Sequence, residues 1–181
     1  MKSFLELLKS RKSVRHFTDE PVSKEDQDYL IECMLRTPSS KGNRPWEFLL
    51  VDQKEKLKIL AECKQPHGTA FVKDASLAVV VCADAEKSDV WIEDASLCAG
   101  FIHLAATDLG LGSCWVQVRL REHQSGESSE EFIKKQLNLP DNLRIEAIVA
   151  IGHPDENHPD RNKAGHGSKS LPEGKIHYNH F

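Results

Sequence analysis

A group of basic side chains near the start of the chain has the composition of an anion site. Arg11, Lys12, Ser13 and Arg15 place three cations and a hydroxyl within five residues, directly after a short apolar helix pattern. If this segment is extended or turned, Arg11, Ser13 and Arg15 point to one side and Lys12 lies close by. A phosphate there would accept charge-assisted hydrogen bonds from the arginine forks and the lysine ammonium group. A solvated basic rim is the alternative interpretation, and the segment alone does not decide between the two.

Length and composition limit the classes of protein to which the chain can belong. Its 181 residues make one domain of ordinary size, and 24 Lys and Arg against 28 Asp and Glu give a net charge of -4. This balance argues against nucleic acid as the main partner. No apolar run has membrane-spanning length and the N-terminus lacks a signal-peptide core, so we predict a cytoplasmic protein without a membrane partner. The five cysteines form no CxxC pair, so we expect reduced core thiols.

The apolar periodicity predicts an α+β fold, with helices around a mixed sheet. Near-continuous β-branched runs at 77–83 and 145–151 are typical of central strands covered on both faces, and further strands are expected at 46–51 and 113–118. Five helices are expected: a short one around Leu5 and Leu8, and longer ones at 23–36, 52–63, 89–109 and 128–137. Ser23 with Asp26 would cap the helix at 23–36, and Asp52 with Glu55 would cap the helix at 52–63. Gly110 and Gly112 would end the helix at 89–109.

Beyond Ile151 the composition changes to a tail rich in Pro, Gly, His, Asp and Asn that runs to Gly167. Such a segment cannot build its own core, so it is either disordered or laid along another surface, such as a partner subunit. Residues 171–179 regain apolar and aromatic side chains, which favours docking of this end over a frayed terminus. We predict one domain at 1–152 and an extension of the same domain at 153–181.

Ordered motifs carry a resemblance to a known family. They are RKSVRHF at 11–17, PSSKGNRPWEF at 38–48, LGLGSCW at 109–115 with GHP at 152–154, and a basic residue before Leu171 and Pro172 with a final KIHYN. In this order they resemble the compact branch of the nitroreductase family over nearly the whole chain. The resemblance implies a nitroreductase-like fold with a central, mixed but mostly antiparallel sheet flanked by helices. It also implies a tightly bound FMN and an intertwined homodimer with its active sites at the subunit interface, along which the extension 153–181 packs.

The resemblance implies two different roles for the residues of the cation cluster. Arg11, Lys12 and Ser13 would hold the FMN phosphate and ribityl chain, while Arg15 would reach the pyrimidine edge of the isoalloxazine ring. Reduced flavin carries negative charge near N1 and O2, so a cation at that edge raises the reduction potential.

The loop after the second helix would come from the other subunit and close over the flavin. Its expected contacts are Pro38, Ser39, Ser40, Gly42 and Asn43, although a plain helix-to-strand loop is an equally valid description of this segment. Arg44 could instead meet the phosphates of a nicotinamide cofactor at the pocket mouth. Trp46 and Phe48 alternate along a strand and are expected in the core.

A strand and a C-terminal cation would complete the cofactor site. The resemblance places the backbone of Cys114, Trp115, Val116 and Gln117 against one flavin face, with an N–H directed to N5. Cys114 would be a small packing residue, since no basic partner is evident. Lys169 stands where relatives keep a basic residue for the phosphate, with Arg161 and Lys163 as substitutes. The loop 65–70, where other members supply an amide, is left unassigned.

The function implied is that of an FMN-dependent NAD(P)H oxidoreductase. Hydride would pass from NADH or NADPH through flavin N5 to a nitroaromatic, quinone or similar acceptor by a ping-pong mechanism, with no dedicated catalytic side chain. A non-catalytic FMN-binding sensor or storage module is the alternative. A flavin-independent structural or metal-binding protein is a third possibility, but His153, His158 and His166 lack zinc-ligand spacing and no metal site is predicted. The pattern Gly110-x-Gly112 lies between a helix and a strand and predicts no Rossmann site.

Overall fold

Helices and strands alternate in a computed structural model that describes residues 3–64, 68–159 and 174–179. The α-helices are α1 (Phe4–Ser10), α2 (Lys24–Leu35), α3 (Lys54–Ala61), α4 (Trp91–Asp108) and α5 (Ser129–Leu137). The strands are β1 (Trp46–Val51), β2 (Leu77–Asp84), β3 (Gly112–Gln117) and β4 (Leu143–Gly152), and short 3-10 turns cover Ser40–Gly42 and Ala70–Asp74. Every helix and strand expected from the periodicity is present, so the α+β prediction is confirmed.

The strands form one sheet in the order β1-β2-β4-β3, with β2 and β4 in the centre. All three strand pairs are antiparallel. The parallel component of the expected mixed sheet is, among the described residues, a single bridge between Ser13 and Ser113. The central position of β2 and β4 explains their continuous apolar sequences, because each of their faces is covered by helices.

Two apolar clusters pack on opposite faces of the sheet. Alternate residues of β2 divide between them: Val79 and Val81 pack with residues of α2 and α4, whereas Val80 and Cys82 pack with residues of α3 and α5. This separation follows from the two-residue period of a strand. The predicted core positions of Trp46 and Phe48 hold, since Trp46 is buried and Phe48 packs against the α2 and α4 side.

Helix ends differ from the expected caps at two places. The first is α3, which begins after Gln53, with no side-chain cap, so the prediction that Asp52 caps this helix is wrong. The second is α1, where Ser3 and Glu6 form a complete capping box that the periodicity did not indicate. Ser23 does cap α2, because its hydroxyl accepts from the backbone N–H of Asp26.

The described part of the C-terminal region behaves in two ways. Residues near 154 contact the body of the domain, because Phe17 bridges to Pro154 and Asp155 N–H donates to the carbonyl of His16 at 2.9 Å. Ile176 and Tyr178 are 75% and 81% exposed, so the predicted docking of this end does not occur on the chain's own described surface.

The division of the domain at residue 152 stays a prediction. No helix in the described ranges is long and apolar enough to cross a membrane.

Candidate active site

The basic segment lies along one end of the sheet and is held there by its backbone. Val14 N–H donates to the Ser113 carbonyl at 2.9 Å, and Thr18 N–H donates to the His153 carbonyl at 2.9 Å. The segment therefore spans the start of β3 and the end of β4 in an extended form. This is the conformation in which Arg11, Ser13 and Arg15 were expected to share a side.

Two glycines allow that close approach. Gly112 and Gly152 are partners in the β3–β4 register. A Cβ at Gly112 would lie 2.7 Å from Cβ of Val14, and one at Gly152 would lie 3.0 Å from Cδ1 of Phe17. The sequence pattern indicated Gly112 only as a helix stop. Gly110, at φ +76°, fills that role, whereas Gly112 makes room for the basic segment.

Several side chains of the segment act electrostatically on Cys114, which is buried in β3. Burial raises the pKa of the Cys114 thiol, while the charge of Arg15, a hydrogen bond from Ser13, and the charges of Arg11 and Lys64 all lower that pKa. All three charged groups that act on this thiol are cations. Lys12 and Val14 line a separate cleft of about 220 Å³, so the side chain of Lys12 does not join the group around Cys114.

The cations of the segment have no carboxylate partners among the described residues. None of the ion pairs found there includes Arg11, Lys12 or Arg15. Arg11, Lys12 and Ser13 are half-buried, and the exposed Arg15 holds its guanidinium carbon 5.8 Å from the ring centre of Phe71. Partly desolvated charges without partners are costly. The donor set of two arginines and a hydroxyl, with the charge of Lys12 in the neighbouring cleft, therefore suits an anionic ligand such as a phosphate.

The strand beside this group presents an outer edge. Among the described strands β3 pairs only with β4, and Val14 reaches its outer side at Ser113. Trp115 and Gln117 lie on the α4 side, where the Trp115 Nε1 donates to Gln117 Oε1 at 3.0 Å. Gln117 Nε2 donates in turn to the carbonyl of Arg119 at 3.1 Å, and Val116 is buried on the opposite face. The side chains of this strand are thus engaged by the protein, which leaves backbone groups to meet a ligand.

The loop from Pro38 to Asn43 is held by a buried acid on α4. Ser40 N–H donates to Asp94 Oδ1 at 2.8 Å, and the Ser88 hydroxyl donates to Asp94 Oδ2 at 3.0 Å. The Ser39 hydroxyl accepts from Arg44 N–H at 2.8 Å. The backbone is strained, because Lys41 and Arg44 adopt φ of 53° and 48°. Pro38, Ser39, Gly42 and Arg44 line a pocket of about 580 Å³, and Asn43 closes the turn through its N–H to Ser40.

A single chain does not bring this loop to the basic segment. The loop leads into β1 and the segment lies against β3, and these strands are opposite edges of the sheet. Three strand spacings separate these edges, which is roughly 14 Å. The two predicted halves of the cofactor site are therefore apart within one subunit.

Comparison with known proteins gives the family. A model of the nitroreductase family matches residues 8–153. This chain belongs to the nitroreductase family. It is 43% identical to an FMN-dependent nitroreductase from Clostridium difficile R20291, with a TM-score of 0.91 over 98% of this chain and 100% of that one. It is 32% identical, over 85% of this chain and 87% of the relative, to an Archaeoglobus fulgidus protein provisionally described as an NADH dehydrogenase/NAD(P)H nitroreductase. It is 27% identical to a Bacillus subtilis FMN reductase [NAD(P)H], over 85% of this chain and 67% of that protein.

This nitroreductase-family chain has site residues that sequence reasoning missed. His103 on α4 contacts Ser113 Oγ through its Nδ1 at 2.7 Å and stacks on Trp115. Burial, with a smaller effect of the Arg11 charge, lowers the pKa of His103 to about 4. Its signal in the sequence is a polar residue within the apolar helix of Ala99, Ile102 and Ala106. Lys64 and Asp94 had no comparable signal, because their roles depend on packing.

Several expected positions of the family pattern lie outside the described residues. Lys169, its substitutes Arg161 and Lys163, and His166 are among them, as are residues 65–67 of the loop 65–70. The described histidines of the tail have other contacts: His158 stacks on His16 with ring centres 3.5 Å apart, and His153 Nε2 lies 3.8 Å from Glu20. No group of three or more potential metal ligands occurs in the described ranges.

Proposed function

We propose that this protein is an FMN-dependent oxidoreductase that uses NADH or NADPH as electron donor and a nitroaromatic, quinone or similar molecule as acceptor. The observation that carries the proposal is the basic segment held against the start of β3, whose arginines have no carboxylate partner among the described residues. The names of the relatives supply FMN and NAD(P)H. When bound, FMN takes hydride from the donor and passes it to the acceptor in a ping-pong sequence.

The residues of the chain fit that cofactor by their chemistry. We assign Arg11 and Ser13 to the phosphate and ribityl chain, since both are half-buried and lie on one side of the segment. Arg15 is exposed beside Phe71, which suits contact with the pyrimidine edge of a flat ring. Lys12 acts through its charge from the neighbouring cleft. Trp115 and Gln117 fix β3, so that its backbone meets the ring as a rigid edge.

The second half of the site is proposed to come from a partner subunit. The loop from Pro38 to Asn43 lies across the sheet from the basic segment of its own chain, so a symmetric homodimer is needed to bring the two together. Exposed apolar side chains supply a face for it: Phe4 and Leu5 on α1 are 67% and 59% exposed, and Leu97 and Phe101 on α4 are also exposed. The extension 153–181 and Lys169 are assigned to the same interface.

The activity is tested by anaerobic mixing of the yellow holoprotein with NADH or NADPH. We expect loss of the flavin absorbance near ~450 nm within seconds, and its return when a nitroaromatic or quinone is added. A parallel rather than intersecting set of initial-rate lines would support the ping-pong order. Absence of bleaching with both donors would leave the alternative, an FMN-binding sensor or storage module.

The roles within the cluster are tested by the variant Arg15→Ala. We expect a lower flavin potential and slower reduction by the donor, with FMN binding weakened much less than by loss of Arg11. The measurements are potentiometry and stopped-flow reduction of FMN-saturated protein. Equal FMN loss with normal kinetics in the Arg11 and Arg15 variants would contradict this division.

The shared site is tested by light scattering on the holoprotein. A dimer is expected, and Leu97→Glu with Phe101→Glu should shift the protein to monomer and release FMN. A monomer that retains FMN would show that the loop at 38–43 is not a cross-subunit contact.

A further inference from the structure

A second cationic pocket lies beside the cluster, between α3 and the 3-10 turn at Ala70–Asp74. Its volume is about 500 Å³, within the range of pockets that hold small molecules. Its lining is rich in lysine and consists of Lys58, Ala61, Glu62, Lys64, Ala70, Lys73 and Gln124. None of these residues belongs to the family motifs that the sequence displays.

The pocket lies near the basic segment. Lys64, which lines it, is one of the cations whose charge lowers the pKa of Cys114. Phe71 lies in the turn between Ala70 and Lys73, and the guanidinium group of Arg15 is placed over its ring. A donor molecule bound at the pyrimidine edge of the flavin, beside Arg15, could therefore reach this pocket with its other end.

The charges of the pocket favour a phosphate. Three lysines face one carboxylate, Glu62, and Lys58 is already paired with Glu55 at 2.8 Å. Lys64 and Lys73 take part in none of the ion pairs between described residues. Two ammonium groups without a described carboxylate partner match the double charge of a phosphate monoester, which accepts several charge-assisted hydrogen bonds.

We propose that this pocket binds the adenosine 2′-phosphate of NADPH and that the protein consequently prefers NADPH to NADH. The proposal rests on the proposed function, because it places the far end of the donor beside the flavin site. NADPH and NADH differ only in this phosphate, so discrimination requires cations at the adenosine end. Lys73 and Lys64 provide them, with Lys58 as a weaker third.

The kinetic test compares Lys73→Gln with Lys56→Gln. Lys56 lies on α3 but lines a different cleft, with Leu49 and Leu137, so it is a matched control for loss of a surface charge. We expect Lys73→Gln to lower kcat/KM for NADPH about tenfold, the lower end of the range for a charged hydrogen bond, and to change that for NADH less than twofold. Lys56→Gln should change neither. Lys64→Gln should affect both donors, because Lys64 also acts at Cys114.

A binding test does not depend on turnover. Titration calorimetry of the purified protein with 2′,5′-ADP and with 5′-AMP should show at least about tenfold tighter binding of 2′,5′-ADP, and this advantage should disappear in Lys73→Gln. Equal binding of the two nucleotides, or equal loss of NADPH and NADH activity in Lys73→Gln, would overturn the proposal. If neither donor reduces the flavin, the proposed function fails, while the two nucleotides still test the pocket.

Discussion

Arg144 on β4 and the arginines of the basic segment show two different uses of the same side chain. The guanidinium group of Arg144 donates to both oxygens of Glu130, at 2.6 and 3.0 Å, and lies 5.7 Å from the ring centre of Trp91. The hydrogen bond to Glu130 raises the pKa of Arg144. Arg11 and Arg15 have no such partner in the described structure.

A structural cation and a ligand-binding cation differ in whether the protein itself neutralises the charge. Glu130 is buried and also accepts from the backbone N–H of Ile145, so its ion pair with Arg144 joins α5 to β4 and neutralises the guanidinium charge within the protein. Arg11 is half-buried beside β3 and has no carboxylate partner among the described residues, so its charge is available to an anionic ligand. An unmatched charge, rather than a charge as such, marks the site.

The largest effect is expected from Arg11→Ala. This variant should weaken FMN binding about 100-fold, because a charge-assisted contact to phosphate is lost. The free energy of unfolding of the FMN-free protein should change by less than about 0.5 kcal/mol, since no internal partner is stranded. Fluorescence titration with FMN and urea denaturation measure the two quantities. Arg121→Ala is the control, because Arg121 is exposed and its side chain bonds only to the carbonyl of Leu120 among described residues.

The reverse outcome is expected for Glu130→Gln. Loss of the carboxylate should lower the free energy of unfolding by about 2 kcal/mol, less than for a fully buried pair because Arg144 is partly exposed. FMN affinity should stay within twofold of the wild-type value. Urea denaturation of the FMN-free protein gives the first quantity. A large loss of FMN affinity without loss of stability would remove the contrast between the two regions.

The approach of the basic segment to the sheet is tested by Gly112→Ala. The added Cβ would lie 2.7 Å from Val14, so the segment must move and we expect a stability loss of about 1.5 kcal/mol together with weaker FMN binding. Val14→Gly removes the clashing atom. The double variant should therefore recover part of the loss, and strictly additive effects would show that Val14 and Gly112 are not coupled.

A pH-dependent effect is expected from the titration of His103. Because its pKa falls to about 4 in the folded protein, the unfolded chain binds a proton at higher pH than the folded one. Stability should therefore fall as the pH decreases from about 6.5 towards 4, by at most about 1.4 kcal/mol per pH unit. His103→Gln should flatten this part of the stability profile in urea denaturation at a series of pH values. Arg11→Ala should raise the pKa of His103 in an NMR titration, because the Arg11 charge is one of its causes.

Sequence patterns predicted the elements better than their ends. The runs at 77–83 and 145–151 became β2 and β4, because burial on both faces demands continuous apolar sequence. The cap at Asp52 failed, since the helix starts one residue later, after Gln53, and has no side-chain cap. For the candidate site, the extended backbone that lets Arg11, Ser13 and Arg15 share a side follows from the sequence, whereas their role in binding a cofactor stays a prediction.

The amino-acid sequence by itself determined the local chemistry: a dense cationic segment, two central strands, and a loop between α2 and β1. Only the tertiary structure decided which charges remain unmatched, because pairing joins residues far apart in the chain. Ser40 bonds to Asp94, 54 positions away in the chain, and Arg144 bonds to Glu130, 14 positions away. Arg11 and Arg15, in contrast, have as neighbours Cys114, His103 and Lys64, and none of these is a carboxylate. The spacing of residues in the sequence does not predict these contacts, because they depend on how the helices pack on the sheet.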